Sequence, residues 1–439
     1  MASDAPPPTP IRVLSLGFSW GSFITPLYRE MKRREPRLEF SVCDYQNASA
    51  AGPDPSAREV FSRFLTTPPN RRDLGTLLGL GRALLNGQLA RRVGRALLFH
   101  GPFSWPPVGA IGTAIKVSRM AAGPLRRASW DLWHFHFCTA HSLRYLDAAP
   151  PATPVICSFW GSDLLREAGS ENHWVVRRAL RRASAITVQS VELREVVLSK
   201  YGRALRPKVH CCRFVLPQRL FEEIRRGTTR PEARAHARRR LKLPPDKILV
   251  ALGHNGDPAN QQLAAVAALG QLPDATKRKL LLVFPMTYGH EPGHAAKVAA
   301  ACAAHGLAAR IFDRFLSWEA LAALRIGMDL FVHVPESDAL SGTVLEALYA
   351  GNRVIVGAWL PYGPYRRAGL PLVEVAEIEE LATVLPRVMA EPPLPPETLK
   401  ERRERIAAHF FPAAITPAWL RVYARVLEAP RAVESCRRP

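Results

Sequence analysis

Asp329-Leu330-Phe331-Val332-His333-Val334-Pro335-Glu336-Ser337-Asp338-Ala339-Leu340-Ser341-Gly342-Thr343-Val344-Leu345-Glu346-Ala347-Leu348-Tyr349-Ala350-Gly351 reads as a strand, a loop and a helix in succession. Residues 329–334 alternate and branch like a buried strand, which Pro335 closes. Ser341, Gly342 and Thr343 suit a helix N-terminus, and Val344, Leu345 and Leu348 give that helix an apolar face. Backbone N–H groups at such a terminus, with the helix dipole behind them, favour an anion. Asp338 in the loop and Glu346 about one turn into the helix place carboxylates around that start. Such a seat suits a phosphate flanked by hydroxyls.

The same pattern recurs outward in both directions. Ile11–Leu16 is a buried strand leading through Gly17 and Gly21 into a helix that ends near Arg34, and Leu38–Cys43 is a second strand. Further strands are expected at 132–137, 153–159, 185–189 and 208–215, then at 247–253, 280–285, 310–312 and 353–357. Strands alternating with helices predict two successive doubly wound α/β domains. The first turn is not GxGxxG, so a nicotinamide dinucleotide is not implied. Residues 1–216 form the first expected domain and 217–410 the second; 411–439 supply a last helix, read from Pro417 to Ala429, and a basic tail. The proline-rich 391–396 stretch reads as an extended linker.

Charge is uneven along the 439 residues. The formal net charge is +22, and residues 1–220 hold 31 Lys and Arg against 15 Asp and Glu. Residues 60–128 read as a helical, basic insertion, in which Leu84, Leu85, Leu89, Val93 and Leu97 form a stripe and Arg82, Arg91, Arg92 and Arg95 lie elsewhere. That pattern fits a helix on an anionic membrane surface and fits a core helix with an exposed basic face equally well. No nucleic-acid-binding motif accompanies the charge, so a nucleic-acid partner is not expected. The seven cysteines include no CxxC pair, which suits reduced, buried thiols in a cytoplasmic protein. No signal-peptide core or membrane-spanning run is present.

Four segments, in order, resemble the bacterial retaining glycosyltransferases of the GT-B fold, family 4 in particular. Asp131-Leu132-Trp133-His134-Phe135-His136 resembles that family's D-x-x-H-x-H strand, and Ser158-Phe159-Trp160-Gly161-Ser162-Asp163 its H-G-x-D turn. Ile186–Ser190 is similar to the strand before its hinge-proximal helix, and Asp338–Gly351 to its acid-bearing segment. The resemblance implies two Rossmann-like domains with a cleft between them, the first for the acceptor and the second for a nucleotide sugar. The last helix would cross back to the first domain. Asp338 stands where the family usually has Glu, and Glu336 lies two residues before it. The 253–261 loop, with Asn255 and Gly256, lacks the usual Arg and Lys and resembles that of the Fuc4NAc transferases acting on lipid-linked intermediates; Arg366 and Arg367 are alternative cations.

Each site residue also has a plainer role. Glu346 and Asp338 suit helix-dipole and capping positions; the resemblance gives Glu346 the ribose hydroxyls and Asp338 a hydroxyl of the transferred sugar. Ser341, Gly342 and Thr343 either cap the helix or donate to the diphosphate, and both roles can coexist. His134 and His136 share a strand face: they are metal ligands, core histidines, or, for His136 by resemblance, the group that steers the acceptor. No supporting ligand spacing favours a metal. Asp163 is a turn acid or, by resemblance, an acceptor-side residue. Gly17 and Gly21 serve turn geometry or a close donor approach.

The expected activity is transfer of a sugar from a nucleotide diphosphate sugar to a hydroxyl of a lipid-linked or polysaccharide acceptor, with retention at the anomeric carbon. Neither metal nor resident cofactor is expected. The expected location is cytoplasmic, peripheral on the inner face of the membrane. The alternatives are a nucleotide-sugar epimerase of the same fold and a non-catalytic glycan- or membrane-binding protein.

Overall fold

The computed structural model describes residues 9–17, 24–44, 55–66, 117, 120, 123, 125, 129–230, 232–289, 291–392 and 394–428. The chain divides into two compact units, Met1–Val215 with Ile415–Pro439, and Leu216–Ala414.

The first unit holds a seven-stranded sheet in the order β3-β2-β1-β4-β5-β6-β7. Its strands are β1 Ile11–Leu16, β2 Leu38–Asp44, β3 Phe61–Thr66, β4 Leu132–His136, β5 Val155–Ser158, β6 Ala185–Val188 and β7 Val209–Cys211. All neighbours pair in parallel. The inner strands are buried along their length, as a parallel sheet with helices on both faces requires. The helix Ile24–Arg34 turns Ile24, Leu27, Tyr28 and Met31 into the core. The last described helix, Pro412–Glu428, joins the same core through Ile415, Trp419, Val422, Tyr423 and Val426. Its Trp419 indole donates to the Arg213 carbonyl at 2.7 Å.

The second unit holds a six-stranded sheet, order β10-β9-β8-β11-β12-β13. The strands are β8 Ile248–Leu252, β9 Leu280–Pro285, β10 Ala309–Phe312, β11 Leu330–His333, β12 Arg353–Gly357 and β13 Val373–Val375, again all parallel. Successive residues feed opposite faces. Leu249, Ala251, Phe331, Val354 and Val356 build one core cluster, while Val250, Leu252, Leu330, Val332 and Ile355 build the other.

Each sheet reverses its strand order once, between β1 and β4 and between β8 and β11. Beyond the carboxyl ends of such a pair the outgoing loops part, and ligands of doubly wound sheets bind there. His136 and His333 end β4 and β11, and Gly17 and Gly253 directly follow β1 and β8.

Three expectations need correction. The stretch from residue 60 is not helical at its start: it opens with the edge strand β3, paired to β2. The last helix starts at Pro412, a first-turn position that suits Pro, rather than at Pro417, which lies inside the helix and lacks an N–H to donate there. The 391–396 stretch is extended at Glu391 and Pro395 as expected, but Arg353 ties it down through the Glu391 and Pro392 carbonyls, and Pro396 already opens the helix Pro396–Phe410. Gly21, the stripe at 84–97 with its arginines, and the basic tail lie outside the described residues.

Candidate functional site

In the second unit the loop after β11 leads into the helix Gly342–Ala350. Ser341 is the residue before that helix, and its side chain makes no capping bond. Gly351 closes the other end at φ 97°, a left-handed position that glycine takes without strain.

Glu346 points inward. Its Oε2 accepts from Arg325 Nε at 3.0 Å, and Arg325 Nη2 lies 3.0 Å from the same oxygen. Arg325 comes from the helix Trp318–Gly327, and both partners are buried. Asn352 ties the two helices by donating to the Arg325 and Met328 carbonyls. Arg325 Nη1 is buried without a partner.

Asp338 is likewise held by one oxygen. Tyr362 donates to its Oδ2 at 2.5 Å, and His333 Nε2 lies 3.4 Å from the same atom. Burial alone would raise this carboxyl. The bond and charge of His333, the charge of His254 and the Tyr362 hydroxyl outweigh it and hold the group below the usual carboxylate range. The side chains of Asp338 and Glu346 keep 23% and 11% exposure.

The loop after β8 folds on itself. Asn255 Oδ1 accepts from the Asp257 amide at 3.0 Å and from Asn260 Nδ2, and the Gly256 amide donates to the Tyr288 carbonyl at 2.7 Å. Asn255 and Gly256 thus shape the loop. Tyr288, half-exposed after β9, joins the cluster: desolvation and then the Glu346 carboxylate push its phenol up, and Asn255 bonds it.

Glu336 is exposed, with its amide on the Ala259 carbonyl. Arg366 is paired with Glu374 at the surface. The cation in contact with Glu346 is Arg325, which a lone arginine in the apolar run Ala322-Ala323-Leu324-Arg325-Ile326 could have signalled. Tyr288, His333 and Tyr362 carry no signal of their own in the sequence; only topology brings them beside the acids.

In the first unit, His134 and His136 are fully buried. Tyr28 Oη lies 2.7 Å from His136 Nε2 and 3.0 Å from His134 Nδ1. Tyr423 Oη also reaches His134 Nδ1, at 2.6 Å, and His134 Nε2 meets Ser158 Oγ at 2.6 Å. The Trp160 indole, which only donates, lies 3.2 Å from His136 Nδ1. That bond fixes His136 as the tautomer protonated on Nε2, donating to Tyr28. Both imidazoles are satisfied by side chains. Asp163, also fully buried, accepts from the Trp160, Gly161 and Cys138 amides at 2.7–2.8 Å. Gly17, at φ 107°, lies against the His136 carbonyl. Among the described residues no group of three or more His, Cys, Asp or Glu could hold a metal ion.

This cluster makes stability acid-sensitive. Burial lowers His136 to about 3 and His134 well below its usual range, while burial raises Asp163 to about 6 against its three amides. Below about pH 6.5 the unfolded chain takes up protons that the folded imidazoles refuse, so their contribution is present above that pH and lost beneath it. Each costs about 1.4 kcal/mol per pH unit. Asp163 binds its proton more readily when folded, and returns a similar amount per unit below about pH 6. Two imidazoles outweigh one carboxyl. The urea midpoint should fall steadily from pH 6.5 to 4.5, and a flat or rising midpoint would contradict this account.

No protein-family model matches the sequence, and no curated protein matches it. Solved structures do. The glycosyltransferase from Rickettsia africae superposes with a TM-score of 0.65 at 12% identity, over 96% of this chain and 100% of that one. Anabaena HepE in complex with UDP and glucose gives 0.63 at 14% identity, over 94% and 99%. The trehalose 6-phosphate synthase of Burkholderia multivorans gives 0.61 at 13% identity, over 95% and 98%. Two parallel Rossmann-like sheets and this likeness together give the chain the GT-B fold.

Proposed function

We propose that the protein is a glycosyltransferase that moves a sugar from a nucleoside diphosphate sugar to a hydroxyl of a lipid-linked or polysaccharide acceptor, with retention at the anomeric carbon. The observation that carries this reading is the pair Asp338 and Glu346, each held by one carboxylate oxygen on either side of the Gly342–Ala350 N-terminus. The amides and hydroxyls of Ser341, Gly342 and Thr343 take the diphosphate, as anions are taken at helix N-termini. Glu346 accepts from the ribose and Asp338 from the sugar. The structural likeness to HepE, solved with UDP and glucose, supports a nucleotide-sugar donor.

In this reading the acceptor oxygen attacks the anomeric carbon on the face from which the diphosphate leaves. The C–O bond to the β-phosphate breaks, the new glycosidic bond forms, and the leaving phosphate oxygen takes the acceptor proton. The site accelerates this by orientation and by stabilising the charge on the leaving group. His136 reaches a substrate only if Trp160 leaves its Nδ1, and Asp163 acts by shaping the turn. No resident cofactor or metal takes part in this scheme. The basic N-terminal half supports a peripheral place on an anionic membrane surface. No helix among the described residues is long and apolar enough to cross a membrane.

A thermal-shift panel of UDP-, dTDP-, GDP- and ADP-sugars tests the donor. At a hundredfold excess over Kd a true donor adds about 2.7 kcal/mol, which is roughly 5–10 °C for a domain of this size. Product NMR should then show the donor's anomeric configuration. An inverted product ends the retaining assignment, and no shift with any nucleotide ends the proposal.

A further inference from the structure

One short segment grips the acid-bearing loop at two points. Tyr362 donates to Asp338 Oδ2, and Tyr365 donates to the Ser341 carbonyl at 2.7 Å. Both rings are fully buried. Pro361 and Pro364 limit the backbone around them, and the Tyr365 amide donates to the Tyr362 carbonyl at 2.9 Å. The Tyr362 ring lies parallel to His333, 6.2 Å away, and His333 in turn stacks on Phe331 at 5.4 Å. Tyr365 packs edge-on against Phe410. Neither tyrosine has room to swing away.

We infer that Tyr362 and Tyr365 are positioning residues for the donor: Tyr362 turns Asp338 so that only Oδ1 meets the sugar, and Tyr365 sets the helix N-terminus at a fixed distance from that oxygen. The inference rests on the donor site proposed above and deepens it. A carboxylate in a loop rotates freely unless something takes one of its oxygens, and a misplacement of about 1 Å is worth roughly a hundredfold in rate. The groups that face Asp338 are His333 from β11, His254 from the loop after β8, Tyr288 from the loop after β9, and Tyr362 itself. Of these, Tyr362 gives the short bond. A hydroxyl donor favours the ionised carboxylate, so its removal must raise the pH at which Asp338 takes a proton.

Tyr362→Phe keeps the ring and removes only that donor. Carboxyl-13C aspartate labelling, with Asp338→Asn to assign the signal, follows the titration without any need for activity. The Asp338 midpoint should rise, and the acid limb of kcat/KM should move with it. Tyr362→Phe should lower kcat/KM tenfold or more in the wild-type background and less than twofold in the Asp338→Asn background. Tyr365→Phe, at an unchanged Asp338 midpoint, should raise KM for the donor. An unmoved midpoint, or an equal loss in both backgrounds, overturns the assignment and leaves Tyr362 a packing residue. A raised midpoint in a protein that transfers no sugar upholds the clamp and defeats the transferase reading.

Discussion

Replacing Glu346 by alanine should remove a large part of the second unit's margin of stability. Arg325 would keep its buried guanidinium and lose its counter-charge, since both its Nε and Nη2 bond that one carboxylate. Breaking one side of a buried pair costs about 3–5 kcal/mol, against about 5–15 kcal/mol for a whole domain. A unit of this size loses roughly 2–4 °C per kcal/mol, so the melting temperature should drop by roughly 10 °C. Glu346→Leu with Arg325→Met removes both charges and should recover most of that loss, because a packed apolar pair costs no ion desolvation. The recovered double variant should still show no thermal shift with nucleotide sugars. A single variant that melts like the wild type would refute the pairing. A stable double variant that still binds the donor would remove Glu346 from the site.

Glu346 and Asp338 are legible in the amino-acid sequence, as charges beside an apolar strand and an apolar helix face. Their partners are not. Arg325 is 21 residues from Glu346, and Tyr362 is 24 residues from Asp338. No helical or strand period links such positions: the two helices that flank β11 pack together and bring Arg325 to Glu346, and the β11–β12 pairing brings the segment after β12 beside the loop after β11. His134 and His136 are legible as neighbours on one face, yet their partners Tyr28 and Tyr423 come from chain-distant helices.

The strands divide in the same way. Inner strands such as β9 are apolar throughout and visible in the sequence. The two that sequence pattern does not reveal, β3 and β13, are both edge strands. β3 leaves Ser62 and Arg63 exposed, and β13 is three residues long with Glu374 exposed. Short, polar edges are how sheets avoid pairing with other chains, and the same features erase the apolar run that marks a strand.

Gly17→Ala should be the most damaging single-methyl change in the first unit. The residue sits just past the β1–β4 pairing, where Leu16 lies beside Phe135. A Cβ there would fall 1.6 Å from the His136 carbonyl oxygen and 2.7 Å from its carbon, at a φ of +107°. The oxygen belongs to the backbone of a central strand, so no side-chain rotation relieves the overlap. Relief demands that β1 and β4 part at their carboxyl ends, which also pulls His136 from Tyr28 and from Trp160. Overpacking in a well-filled core costs about 1–3 kcal/mol, and the left-handed backbone adds roughly 1–2 kcal/mol for any residue with a Cβ. A loss of about 4 kcal/mol would place this change at the severe end of single substitutions. The expected result is a sharply lower urea midpoint and little soluble protein at 37 °C. Gly169→Ala is the control: its φ is +96°, but a Cβ there meets nothing within 4 Å. It should therefore show the backbone cost alone. If Gly17→Ala and Gly169→Ala unfold at the same urea concentration, the close approach of Gly17 to His136 is not what holds this end of the sheet together.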